Sequence, residues 1–227
     1  MLGEYPFAEG TFKLCWKAKY LDGFRRGETA IIKQFKEGCV YEEYYFNEEM
    51  IIIGVTEKIA KAFNKAKILG GDRLVRVSRP VIATSGNTGA KALVEPYIDM
   101  FEKFNSNSGW VNTDCDESGD AMQALSHFSY HESDGEYVLC DLQGGAYRDE
   151  FVLTDPIVLT KKGNLGPGDL GKEGMKSFFQ KHQCNRYCKS HWITPSGGGR
   201  SRISSKKGTA YDLGSDPSRN PLSRWYS

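Results

Sequence analysis

No apolar run in this sequence approaches the roughly 20 residues that a helix needs to cross a bilayer. Its start, MLGEYPFAEG, lacks the basic-then-apolar pattern of a secretory signal. An excess of one charge is missing as well. Lys and Arg number 30 against 29 Asp and Glu, so no global field draws the chain onto nucleic acid or an anionic membrane. Cysteine is sparse, six in 227 residues, with Cys15, Cys39, Cys115 and Cys140 scattered. That is no disulfide framework, and in a reducing compartment the one close pair points to metal. No internal repeat is visible. The absences leave a soluble cytoplasmic protein, without membrane or nucleic-acid partner, as the expectation. What is present fits it: 12% aromatic residues argue against wholesale disorder, and the length suffices for one large domain or two small lobes.

Periodicity then divides the chain. TFKLCWKAKY (11–20) alternates, with Phe12, Leu14 and Trp16 on one face and Lys13 and Lys17 on the other, and predicts a half-buried strand. AIIKQF predicts a second strand after the turn DGFRRGET. Ile52, Val55, Ile59, Phe63 and Ala66 repeat at three and four, one face of a helix that ends before Gly70 and Gly71. LVRVSRPVIA (74–83) and KALVEPYI (91–98) read as a hairpin with SGNTG near its tip. AMQALSHFSY is helix or strand, EYVLCDL is a strand, and Met175, Phe178, Phe179 and His182 share the face of a short helix. From Pro195 the composition turns to Ser, Gly and basic residues, so 195–227 is expected to be a disordered tail. The layout is an α+β domain, sheet-rich in its first half.

Three groups of residues carry candidate chemistry. HQCNRYC (182–188) places His182, Cys184 and Cys188 within seven residues, and a helical turn would bring the two thiols onto one face. Zinc, a disulfide and a core cysteine pair are all compatible with that spacing. A tetrahedral metal site needs a fourth ligand, for which His127, His131, Cys140 and His191 are available; His127, between Leu125 and Phe128, is the buried candidate. Lys33, among apolar strand residues, either snorkels to solvent or meets phosphate as a point charge. Asp141 and Gln143 in CDLQGG, with Asp155 in TDP, are oxygen ligands of the kind Mg²⁺ prefers, or else turn-forming residues. PFAEG, ending at Gly10, and GPGDLG (166–171) are glycine turns able to present N–H groups to anions, each a weak signal alone.

PFAEGTFK, AIIKQF, VEPYIDMFEKFNSNSGWV, ALSHFSY, DLQG, LTDP, GPGDLG and HQCNRYC, in this order, resemble the atypical alpha-kinase family. The resemblance implies a two-lobed, protein-kinase-like fold over residues 1–194, with an N-lobe of about 1–95 and a C-lobe of about 96–194. It also implies ATP-dependent phosphorylation of Ser or Thr on a protein substrate. No HRD, DFG or APE element of ordinary kinases occurs. By resemblance Lys33 binds the ATP α/β-phosphates beneath the Gly10 turn, and Glu95 sits at the hinge, where backbone groups read adenine. Gln143 and Asp155 hold Mg²⁺, Asp141 or Asp155 positions the attacking hydroxyl, and Lys103 approaches the phosphates. His127, His182, Cys184 and Cys188 become the ligands of a structural zinc, and GPGDLG lies near the substrate cleft.

The chain departs from the family pattern in three places. Only five residues precede PFAEG, where the family has a further strand. Thirteen residues separate Asp141 from Asp155, more than is usual, with GAYRDEF the expected excess and a displacement of the Mg²⁺ ligands the expected effect. Asp169 replaces the usual asparagine of the glycine loop and adds a negative charge. A catalytically impaired, zinc-stabilised interaction domain is therefore the alternative to an active kinase.

Overall fold

The computed structural model describes residues 5–36 and 42–195; the Ser/Gly/basic tail lies outside them apart from its first residue. Two compact units divide the described chain. The first takes residues up to Asn47 together with Arg79–Tyr97, and the second takes Glu48–Ser78 and Ile98 onward. The division is interleaved, where the sequence alone predicts a single cut near residue 95.

In the first unit, β1 (Ala8–Glu9), β2 (Lys13–Lys19), β3 (Thr29–Phe35), β5 (Val81–Thr84) and β6 (Lys91–Pro96) form one sheet in the order β1-β2-β3-β6-β5. All its pairings are antiparallel. Across β2, β3 and β6, Cys15, Lys33 and Leu93 lie opposite one another and share a face. Phe35, Phe46 and Leu93 pack into a small core, Phe35 meeting Phe46 edge to face.

Helix α1 (Glu43–Lys65) turns Ile52, Ile59 and Phe63 into the large core of the second unit. The segment LVRV is β4 (Leu74–Val77), and it does not join the hairpin expected of it. It pairs in parallel with β10 (Glu150–Leu153), while the β5–β6 hairpin starts afresh at Val81. Pro80 lies in the break and has no N–H to continue a ladder. The other edge of β4 is closed by Asn64 of α1, whose amide donates to the Val75 carbonyl at 2.8 Å and accepts from the Val75 N–H at 2.9 Å.

β7 (Phe101–Lys103) and β9 (Gln143–Ala146) complete the four-stranded sheet β4-β10-β9-β7, and β8 (Tyr137–Cys140) pairs with β11 (Ile157–Thr160). Helix α2 (Asp116–Glu132) buries Met122, Leu125 and Phe128, and α3 (Gly171–Lys181) buries Met175 and Phe178. AMQALSHFSY is thus helix. Among the described residues no helix is long and apolar enough to cross a membrane.

One glycine is indispensable to this sheet. Gly144 has φ +148°, and a Cβ there would lie 1.9 Å from the Val152 carbonyl oxygen. Backbone cannot yield as a flexible side chain would, so Gly144→Ala should lower stability by about 3 kcal/mol or more. Urea denaturation of the purified variant checks this; a midpoint unchanged from wild type would contradict it.

Candidate functional site

Lys33 and Glu95 form a buried ion pair within the first unit, 5% and 3% exposed. Lys33 faces Leu93 across the β3–β6 ladder and Glu95 faces Ile31, so the two charges are diagonal neighbours on one face. The resemblance gives Glu95 a backbone role; the fold also gives its carboxylate one, that of fixing the ammonium. In ordinary protein kinases a helix glutamate holds the strand lysine, whereas here the carboxylate comes from the adjacent strand. The Gly10 N–H is donated to the Lys13 carbonyl at 2.9 Å, closing the β1–β2 turn, and Glu9 pairs with Lys36 at 2.5 Å.

In the second unit β8–β9 and β10–β11 are two halves of a single long hairpin. Its register does not slip, since Leu153 faces Gly144 and Ile157 faces Cys140. The residues left between, Asp141 and Leu142 on one strand and Thr154 to Pro156 on the other, therefore lie opposite each other. Both aspartates adopt left-handed backbone conformations, φ 55° at Asp141 and 46° at Asp155. Asp and Asn tolerate that region better than other side chains. Each kinks its strand out of one sheet and into the other. The GAYRDEF stretch forms the end of this hairpin.

Around the break, the Gln143 amide donates to Asp141 Oδ2 at 3.4 Å and to the Asp155 carbonyl at 3.5 Å. Lys103 Nζ lies 2.7 Å from Asp141 Oδ1. Lys103, expected at the phosphates, thus has a carboxylate partner here. Leu142 anchors the group from below. It is fully buried, its N–H donates to Asn105 Oδ1 at 3.0 Å, and its carbonyl accepts from the Phe104 N–H at 2.8 Å. Asn105 is 1% exposed and also donates to Ser126 Oγ. Sequence reasoning gave Asn105 no role; an asparagine directly after buried Phe104 was the available signal.

The second cluster of this unit joins His127 of α2 to the segment following α3. His127 Nδ1 and His182 Nε2 are 3.2 Å apart, Cys184 Sγ is 3.7 Å from the first and Cys188 Sγ 3.7 Å from the second. All four ligand atoms lie within 4.8 Å of one another. A tetrahedral zinc with bonds of ~2.05 Å to nitrogen and ~2.3 Å to sulfur has N···N edges of about 3.4 Å and N···S edges of about 3.6 Å. The residues therefore fit the metal. Each ring's outer nitrogen has an acceptor, the Ile193 carbonyl at 3.1 Å for His127 and Gln123 Oε1 at 3.4 Å for His182, the arrangement that aims the inner nitrogens. Burial, reinforced by His127, pushes the His182 imidazole down to about 4, and burial lowers His127 too, so both rings are neutral at pH 7 with lone pairs available. Burial holds the Cys188 thiol up at about 11, and a metal would have to displace its proton. The other candidates for fourth ligand are engaged elsewhere. Cys140 packs in a separate apolar cluster, and His131 lies against both His191 and Trp192.

Asp169 of the glycine loop is held by four converging donors. Its carboxylate accepts from the Thr160 N–H (2.9 Å) and Oγ1–H (2.6 Å), the Leu165 N–H (3.1 Å) and the Gly171 N–H (2.9 Å).

A model of the alpha-kinase family matches residues 8–188. Alpha-protein kinase vwkA of Dictyostelium discoideum is 30% identical over 196 residues, which cover 83% of this chain and 30% of that protein. Eukaryotic elongation factor 2 kinase of Mus musculus is 30% identical over 205 residues, covering 86% of this chain and 27% of that protein. This chain thus spans under a third of the length of either relative. Among solved structures, an alpha kinase from Entamoeba histolytica superimposes with a TM-score of 0.73 at 23% identity, covering 86% of this chain and 79% of that one. The inactive alpha-kinase domain of myosin-II heavy chain kinase A, complexed with ATP, gives 0.67 at 23% identity, covering 82% and 86%.

Proposed function

The chain belongs to the alpha-kinase family, and we propose on that basis that it is an ATP-dependent protein kinase transferring the γ-phosphate to Ser or Thr of a protein substrate. The observation that carries this reading is the break in the long hairpin. Two left-handed aspartates and a glutamine meet there, with Lys103 bound to one of them.

Phosphoryl transfer needs charge neutralisation on the phosphate oxygens and an oriented hydroxyl, with little covalent work for the protein. In this reading Lys33 binds the α/β-phosphates, pre-oriented by Glu95. Gln143 and Asp155 hold Mg²⁺, which when bound neutralises charge on the phosphate oxygens. Asp141 accepts a hydrogen bond from the substrate hydroxyl and orients it. Lys103 holds that carboxylate in place. The loose transition state asks for position more than for basicity, so a carboxylate already paired with a lysine suits the task. The four-ligand cluster of His127, His182, Cys184 and Cys188 holds a structural zinc; with every position filled by protein it has none open for chemistry.

The test is transfer of labelled γ-phosphate from ATP to a basic peptide containing Ser and Thr, at millimolar Mg²⁺. Lys33→Met should reduce transfer on the order of 10²-fold or more by removing a charge from the developing transition state. That substitution strands the buried Glu95 carboxylate, at a cost of about 3–5 kcal/mol. The double variant Lys33→Met/Glu95→Gln removes both charges and controls for folding. No transfer by folded wild-type protein overturns the assignment.

A further inference from the structure

Asp141 is held at two points by one short stretch of chain. Lys103, the last residue of β7, takes its carboxylate, with Nζ 2.7 Å from Oδ1. Asn105, two residues on, takes the peptide that follows, its Oδ1 accepting from the Leu142 N–H at 3.0 Å. That N–H belongs to the planar Asp141–Leu142 peptide, so holding it fixes the rotation about the Asp141 Cα–C bond. The Leu142 carbonyl is held from the same stretch, by the Phe104 N–H at 2.8 Å and the Asn105 N–H at 3.4 Å. Asp141 has φ 55°, a conformation that persists only where its surroundings enforce it.

Asn105 is itself held. The Leu142 N–H can only donate, so the amide oxygen must face it and the NH₂ must turn away. That NH₂ donates to Ser126 Oγ of α2 at 3.0 Å, and Ser126 is fully buried. The same helix reaches the same strand one turn further on. Ser129 Oγ accepts from the Leu139 N–H at 2.8 Å and donates to the Ser126 carbonyl at 2.6 Å. Two hydroxyls three residues apart on α2 therefore hold β8 and the break behind it, and Asn105 is the link through which the second reaches Asp141. Phe104, Leu139 and Leu142 are fully buried around these bonds, which keeps water from competing for them.

We propose that Asn105 is a positioning residue for phosphoryl transfer: oriented by Ser126, its amide locks the Asp141–Leu142 peptide, and with it the left-handed turn that aims the Asp141 carboxylate at the acceptor hydroxyl. The proposal rests on the kinase reading. Both ends of the buried amide are engaged by Leu142 and Ser126, so Asn105 meets no reactant and acts through Asp141. An apolar side chain could fill the same space. It would leave the peptide free to turn and Asp141 free to relax into an ordinary backbone conformation.

Steady-state kinetics on Asn105→Ala, Asp141→Asn and the double variant test it, at saturating Mg²⁺ and with ATP and a basic Ser/Thr peptide varied separately. Rates are taken per folded molecule, measured by circular dichroism. Asn105→Ala should lower kcat on the order of 10²-fold, the scale on which a misplacement of about 1 Å is felt, with the KM for ATP within about twofold of wild type. In the Asp141→Asn background the same change should cost less than about threefold, because the group it positions is already gone. Ser126→Ala keeps a good helix former on α2 and leaves the Leu142 bond in place, so it serves where Asn105→Ala fails to fold. It should lower kcat about fivefold, the rate equivalent of one ordinary hydrogen bond, and again only where Asp141 is present. A loss by the same factor in both backgrounds, the mark of a merely structural residue, overturns the inference alone. So does a kcat within about twofold of wild type in both Asn105→Ala and Ser126→Ala. No transfer by the wild-type chain overturns the kinase reading and this inference with it.

Discussion

Asp141→Asn and Asp155→Asn should each reduce phosphoryl transfer by a factor on the order of 10³, with melting temperatures within a few degrees of wild type. Asparagine is the informative replacement. Both positions have left-handed φ, at 55° and 46°, which asparagine tolerates and alanine does not. An alanine would add a backbone cost of roughly 1–2 kcal/mol and confound lost charge with a displaced strand. The Asp141→Asn change also leaves Lys103 without its anion, yet that pair is 43% and 17% exposed, and such pairs contribute at most about 1 kcal/mol. A thousandfold loss corresponds to about 4 kcal/mol of transition-state stabilisation, well beyond what any loss of folded protein could mimic here. The measurement is initial-rate transfer alongside thermal unfolding. Turnover within tenfold of wild type in either variant would remove that aspartate from the reaction.

The parts of the fold legible in the sequence are those set by local period. Phe12, Leu14 and Trp16 announced a strand, Ile52 to Phe63 a helix face, and Met175 with Phe178 the buried side of α3. The destination of a strand was not legible. LVRV alternates well enough to be a strand, but its partner is about 75 residues away and parallel, and nothing local records a long-range pairing. The same limit hid the hairpin break. Asp141 and Asp155 could be singled out as oxygen ligands, but that they fall in the same break of two paired strands depends on the pairing of β8 with β11 and of β9 with β10. Glu95 was seen as part of a hinge because VEPYI is a recognisable stretch; that its carboxylate meets Lys33 depends on the β3–β6 register. Asp169 is the sharpest case. A charge in a glycine loop invites an electrostatic reading, and only the converging donors show that it is a structural knot.

If the four-ligand cluster holds a structural zinc, as proposed, removing it should unfold the second unit. Dialysis against a strong chelator, or Cys184→Ala with Cys188→Ala, is expected to abolish bound zinc and lower the melting temperature by well over 10 °C. The reason lies in how the segment after α3 is attached. Besides the cluster itself, it is held by Asn185 to the Asp120 carbonyl, by the Ile193 carbonyl to His127, and by Tyr187 and Arg186 to Glu117. The Arg186–Glu117 contact is 57% and 59% exposed and contributes little. Tyr187, Cys188 and Trp192 nevertheless pack against the main core, so releasing this segment uncovers Phe128 and its neighbours. Binding of a structural zinc is worth on the order of 10 kcal/mol, against a net stability of about 5–15 kcal/mol for a whole domain. Few domains survive that subtraction. On the structural-zinc reading, partially loaded samples should lose activity in proportion to the folded fraction measured by circular dichroism, with both KM values unchanged. Less than about 0.1 zinc per chain in protein purified without chelator, or full stability in the double cysteine variant, would show that the four side chains pack without a metal.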